Sequence, residues 1–235
     1  MEPSNVVSRN EWLDARMALL ADEKKLTALK DQLAAKRRTL PWVRVEEPYV
    51  FTGPDGEETL LDLFGPHSQL IVYHFMFGPG WEQGCKSCSL LSDHIDATRP
   101  HLAARDVGFA VVSRAPLDEF APFKERLGWT FKWVSSSANS FNFDYHVSFA
   151  EADIGNDKNT YNFDTIPAMS EEMPGASVFI RNDKGEIFHT YSCYARGLDG
   201  LIGTYSFLDL VPKGRDEDDL DFTMAWVRYH DSYDS

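Results

Sequence analysis

Residues Leu70 to Phe77 form an almost unbroken apolar run, suited to a central strand covered on both faces. Gly78-Pro79-Gly80 ends that run, and Cys85-Lys86-Ser87-Cys88 then opens a segment of helical spacing. A C-x-x-C between a strand and a helix places one thiol among unpaired backbone N–H groups that stabilise its thiolate. A second thiol lies close enough to close a disulfide. This junction points to redox chemistry.

The rest of the composition narrows the setting. With 43% apolar residues in 235, the chain can bury one substantial core, and one domain with extensions is the expected organisation. No apolar stretch approaches the roughly 20 residues of a membrane span. Met1-Glu2-Pro3-Ser4-Asn5 lacks the features of a signal peptide, so a cytoplasmic location and no membrane partner are expected. A net charge of −14 disfavours nucleic acid as a partner, because phosphate contacts need concentrated Lys and Arg. Three cysteines are too few for a disulfide framework in a chain of this size, which leaves catalysis or metal binding for the C-x-x-C.

Ser8-Arg9-Asn10-Glu11 reads as a capping box that starts a helix. Trp12, Leu19, Leu26 and Leu33 recur along it, with Leu13, Leu20 and Leu29 beside them, and Pro41 must end it. An arm over residues 1–45 results. Its apolar stripe suits packing within the subunit or a homodimer seam. Lys36-Arg37-Arg38 complements the helix dipole. Tyr49-Val50-Phe51 and Thr59-Leu60-Leu61 around Gly53-Pro54-Asp55-Gly56 read as a hairpin, followed by a short turn through Phe64.

After the C-x-x-C, Ser89 to Leu102 has helical spacing that Pro100 should end or kink. Gly108 to Ser113 reads as a strand, Leu117 to Leu127 as a helix stopped by Gly128, and Trp129 to Val134 as a strand. Residues 135–173 lack a sustained period and read as an irregular insertion, with a short strand at His146 to Phe149. Ala176 to Ile180 and Glu186 to Tyr191 flank Asn182-Asp183-Lys184-Gly185, a hairpin signal, with Pro174 just before it. Leu198 to Leu210 suits a helix. From about residue 211 a C-terminal extension begins, in which Asp216-Glu217-Asp218-Asp219 reads as a solvated turn.

This order of elements resembles the thioredoxin superfamily. The resemblance implies that Pro174 faces the dithiol through a cis bond, and the N-terminal hairpin and added elements look more like the peroxiredoxin branch. A closer resemblance covers almost the whole chain: Leu40-Pro41-Trp42, His74-Phe75-Met76-Phe77-Gly78-Pro79, Ser113-Arg114-Ala115-Pro116, Thr190-Tyr191-Ser192 and Tyr194-Ala195-Arg196-Gly197 are similar to the bacterial family catalogued as domain of unknown function 899. It implies a thioredoxin-like dithiol–disulfide oxidoreductase. Lys86 stands where many relatives are expected to carry Pro. The expected fold is therefore an α/β three-layer sandwich with a central mixed sheet over residues 46–235, plus the helical arm.

Cys85, nearer the helix start and beside Lys86, is the expected nucleophile, and Cys88, one turn on, the resolving thiol. Trp81, Lys86 and Pro174 are expected to shape the substrate groove, with Arg114 and Arg196 as auxiliary cations. The peroxiredoxin Pro-x-x-x-Thr-x-x-Cys spacing is absent, which places thiol exchange above peroxidase action. Two other classes stay open. One is a non-catalytic binding or dimerisation module. The other is a Zn or Cu site joining Cys85 and Cys88 to His94, His189 or Cys193, although no second C-x-x-C supports it. His74 and Cys193 read as core residues. The expected partner is a protein or small-molecule thiol or disulfide, with no cofactor and no resident metal.

Overall fold

The computed structural model describes residues 5–154, 160–163 and 166–233. The chain forms two compact units, residues 1–41 and 42–235. In the first, α1 (Arg9–Arg37) is a single helix. The Ser8 hydroxyl accepts from the Glu11 amide at 3.3 Å and the Glu11 carboxylate accepts from the Ser8 amide at 2.9 Å, so two orphan donors are satisfied at the start. No residue of α1 is buried, and Trp12, Leu19, Leu26 and Leu33 are all exposed.

The second unit follows the chain order β1 (Val43–Arg44), β2 (Val50–Gly53), β3 (Gly56–Thr59), α2 (Leu60–Leu63), β4 (Gln69–His74), α3 (Lys86–Ser92), α4 (Ile95–Ala103), β5 (Val107–Ser113), α5 (Leu117–Arg126), β6 (Lys132–Ser135), α6 (Phe141–Asp144), β7 (Thr160–Tyr161), β8 (Ile166–Pro167), β9 (Gly175–Arg181), β10 (Ile187–Tyr194) and α7 (Gly203–Leu208). Its main sheet has the order β1-β10-β9-β4-β5-β6-β2-β3. The strands β5, β4, β9 and β10 lie side by side in this sheet: β4 and β5 are parallel, while β9 runs antiparallel to both β4 and β10.

Alternation along β4 divides the core between the two faces of the sheet. Tyr73 joins Cys88, Leu91, Val111, Phe120 and Trp133 on one face, whereas Leu70 and Val72 join Phe51, Phe64, Val134, Phe141 and Phe179 on the other. The sandwich is thus a mixed sheet between two covering layers. On the first face Phe120 stacks on Trp133 at 4.6 Å and 16°. Such aromatic packing adds about 0.5–1.5 kcal/mol per pair beyond area burial.

Local departures from the sequence reading have identifiable causes. The expected helix from Ser89 to Leu102 is two helices: α3 starts earlier, at Lys86, and a break at Asp93–His94 lets α4 carry Pro100 inside it. Trp129 and Phe131 are drawn into the core cluster instead of a ladder, so β6 begins only at Lys132. At 146–149 there is no full strand but an isolated Ser148–Glu172 bridge, preceded by His146 at φ 53°. Residues 195–201 form a 3-10 segment ahead of the short α7, in place of one longer helix.

Candidate functional site

The dithiol sits where the strand-to-helix junction requires it. Gly84 precedes it under the aromatic floor of the sheet: a Cβ there would lie 2.5 Å from Phe75 Cε1 and 3.0 Å from Phe77 Cδ2. Cys85 is the N-cap of α3, its amide donates to Met76 O at 3.1 Å, and its Sγ accepts from the Cys88 amide at 3.4 Å. That thiol therefore occupies the place of a capping oxygen, at the positive end of the first turn.

Cys85 is half-buried and Cys88 is 1% exposed; both are free thiols. Hydrogen bonding from the Cys88 thiol, then from the Cys88 and Ser87 amides and the Ser87 hydroxyl, overcomes desolvation and brings Cys85 down to about 7. Burial and the neighbouring Cys85 push Cys88 well above the ordinary thiol range, against a hydrogen bond from Tyr73. The two acidities are split by environment, with the less buried residue the more acidic.

A pocket of about 380 Å³ opens beside the sulfurs, lined by Tyr73, Met76, Cys85, Ser87, Cys88, Leu91, Pro174 and residues from 195–205 and 223–224. Pro174 thus shares a wall with the dithiol. Its peptide bond is not cis, since no described bond is. The segment before it is held extended, with Phe149 N donating to Glu171 O at 2.9 Å and Met173 N to Val147 O at 2.8 Å, and it feeds β9 in the ordinarily preferred trans form. Tyr161 braces this wall, donating to Pro174 O and accepting from the Ala195 amide at 2.7 Å.

Trp81 packs on the same core cluster but does not line the pocket, and Lys86 is exposed at the helix start. Arg114 binds Glu172 at 2.5 Å and Glu171 at 3.3 Å. Arg196 reaches the pocket rim, paired with Asp199 at 2.9 Å. Among the described residues no group of three His, Cys, Asp or Glu side chains is placed to hold a metal ion. His94 Nε2 accepts from the Thr204 amide at 3.2 Å, and His189 Nε2 lies 2.8 Å from Ser192 Oγ. Cys193, on β10, is half-buried against the core.

Three participants were not singled out in the sequence. Tyr73 underlies Cys88. Glu217 belongs to the acidic run read as a solvated turn, yet its Oε1 accepts from Tyr205 Oη at 2.9 Å, Met224 N at 3.1 Å and Trp226 Nε1 at 2.6 Å. Tyr229 donates to Gly84 O at 2.7 Å, so the C-terminal extension returns over the helix start. The alternation of β4 could have marked Tyr73 as facing the helix side, but nothing local signals the other two.

On the opposite face, His74 is buried with its Nε2 2.9 Å from Ser177 Oγ, which meets Ser192 Oγ at 2.8 Å. Desolvation lowers its pKa to about 3. It is the core residue expected from the sequence. Glu172, also buried, is raised to about 7 by desolvation despite Ser148 and Arg114.

Known structures resemble this chain at low identity. Peroxidoxin BcpB from Mycobacterium tuberculosis is 11% identical, with 70% of this chain and 95% of that one covered and a TM-score of 0.45. For a peroxiredoxin Q mutant from Xanthomonas campestris the values are 14%, 72%, 98% and 0.46. A structure described as a thiol:disulfide interchange protein DsbE from Chlorobium tepidum gives 13%, 71%, 98% and 0.43. No curated protein sequence matches. The model of the family described as "Bacterial protein of unknown function (DUF899)" matches residues 1–233, and the chain belongs to that family.

Proposed function

We propose that this protein is a thiol–disulfide oxidoreductase with Cys85 as nucleophile and Cys88 as resolving thiol. The observation that carries the reading is the split between the two thiols: Cys85 caps α3 with an acidity near neutrality, and Cys88 lies buried behind it. With Cys85 lowered to about 7, thiolate is present near neutrality, so attack on a disulfide sulfur is available without a separate base. Cys85 Sγ joins the attacked sulfur and the other leaves as a thiolate. Cys88 gives up its proton to the first departing thiolate, then attacks Cys85 Sγ and releases the second thiolate. The dithiol is oxidised by two electrons and the substrate is reduced by two.

Peroxidase action has less support. Both auxiliary cations are engaged by carboxylates, Arg114 by Glu171 and Glu172 and Arg196 by Asp199. Equilibration with glutathione buffers from about −120 to −300 mV tests the main reading. A Cys85–Cys88 disulfide with one defined midpoint is expected; its absence across that range would sink the proposal. Cys85→Ser is expected to lose turnover entirely, while Cys88→Ser should trap a mixed disulfide on Cys85, visible by mass. The exposed stripe of α1 supports a second role in self-association. Light scattering should then give a dimer that Leu19→Glu with Leu26→Glu converts to monomer.

A further inference from the structure

The pocket beside Cys85 is roofed by a segment that follows the last helix, and this restricts what can reach the sulfur. Within the segment Leu210 to Tyr229, Thr223 and Met224 line the pocket and Tyr229 reaches the carbonyl of Gly84, just before α3. Three donors converge on Glu217 Oε1, from Tyr205, Met224 and Trp226, and fix the turn of this strap. Beyond it Val227 is 1% exposed within the core. Tyr229 bonds Gly84 O, and Arg126 joins Asp231 at 3.2 Å. Thr223 and Met224 thereby become pocket walls together with Tyr73, Leu91, Leu198 and Ile202.

From this arrangement, and resting on the oxidoreductase reading above, we infer that the substrate is a small, uncharged, apolar disulfide seated under the strap, and not a disulfide carried by a protein. The volume, about 380 Å³, falls within the roughly 300–1,000 Å³ of small-molecule sites. A peptide segment brought to Cys85 would carry its backbone N–H and C=O groups into a largely apolar cavity, where each unpaired group is costly. The polar rim is already satisfied, since Asp199 binds Arg196 at 2.9 Å and Arg215 at 3.2 Å. Arg196, the cation among the lining residues, is thus engaged, Lys86 stands outside the lining at the helix start, and a chain of net charge −14 repels an anionic disulfide at long range. The chemistry balances as before: R–S–S–R and the Cys85–Cys88 dithiol become two R–SH and the Cys85–Cys88 disulfide.

The test is a single-turnover assay with the full-length, pre-reduced protein. Its substrates are neutral 2,2′-dipyridyl disulfide, dianionic 5,5′-dithiobis(2-nitrobenzoate) and insulin, each rate divided by that of dithiothreitol with the same disulfide. The normalised rate for the neutral aryl disulfide should exceed that for the dianion at least tenfold, and insulin should show no acceleration. Thr223→Trp, at an exposed edge of the pocket, should lower the neutral rate at least fivefold. Glu217→Gln, which loosens the strap, should raise the insulin rate. Insulin reduced by wild type as efficiently as the neutral aryl disulfide would overturn the inference and leave the oxidoreductase reading intact. A dithiol that never closes in glutathione buffers would remove both.

Discussion

The two faces of the sheet bury titratable groups to opposite ends. On the dithiol face, Cys85 is held by donors that favour its charged form and opens on a pocket, so burial coexists with an acidity near 7. On the other face, His74 packs against Phe141 and Tyr145, with ring centroids at 5.5 and 5.9 Å, and its Nδ1 meets no hydrogen-bond partner of good geometry. Its Nε2 meets the Ser177 hydroxyl at 2.9 Å, and desolvation outweighs the neighbouring Asn142, so the neutral ring is favoured. Burial alone therefore does not mark a reactive group. Reactivity needs donors aimed at the charged form together with a route for a reactant.

Acid should expose this contrast most strongly. His74 has a folded pKa near 3 against an ordinary 6.5, so the unfolded chain takes up a proton that the folded one refuses. The stability contributed by neutral His74 is complete above pH 6.5 and is lost as pH falls through 3, by up to about 5 kcal/mol. Urea unfolding of wild type and His74→Gln between pH 7 and 4 should show the variant losing less with acid; parallel curves would remove His74 from this role.

Glu172 gives the converse test. Its folded pKa of about 7 lies above the ordinary 4.5, so the folded chain holds a proton the unfolded one has lost. Stability from this group is present below pH 4.5 and disappears as pH rises through 7, by about 3 kcal/mol. Glu172→Gln should gain stability relative to wild type over that interval. A constant difference from pH 4.5 to 8 would contradict the assignment.

The smallest expected effect is also the most local. Tyr73→Phe removes the hydroxyl that supports a Cys88 thiolate, worth about 1.5–3 kcal/mol for a hydrogen bond to charge. Resolution of the mixed disulfide should slow by about tenfold or more while Cys85 alkylation retains its half-point near pH 7. Equal slowing of both steps would mean that Tyr73 acts through packing alone.

What the sequence made legible was local. The Ser8 box, the Gly53–Gly56 turn, the Asn182–Gly185 turn and the C-x-x-C all declare themselves within a few residues, and each corresponds to a formed element. The adjacency of β5, β4, β9 and β10 is long-range pairing that periodicity cannot supply. Tyr229 to Gly84 spans 145 residues, and no pattern in either segment announces the other. Glu217 was hidden for a different reason: four adjacent acids look alike until three donors converge on one of them. Pro174 could be singled out from the hairpin after it, but its peptide geometry depended on the extended pairing of 147–149 with 171–173.

Gly84 carries a consequence for how such sites diversify. The side chain excluded there is excluded by Phe75 and Phe77, so the residue before the nucleophile is governed by aromatic packing laid down at the end of a strand. The chemically recognisable unit has four residues, but the heritable one has at least five, plus two rings upstream. A substitution library randomised at Gly84 should return glycine unless Phe75 is allowed to shrink with it, and relatives that change one of these positions should change the other.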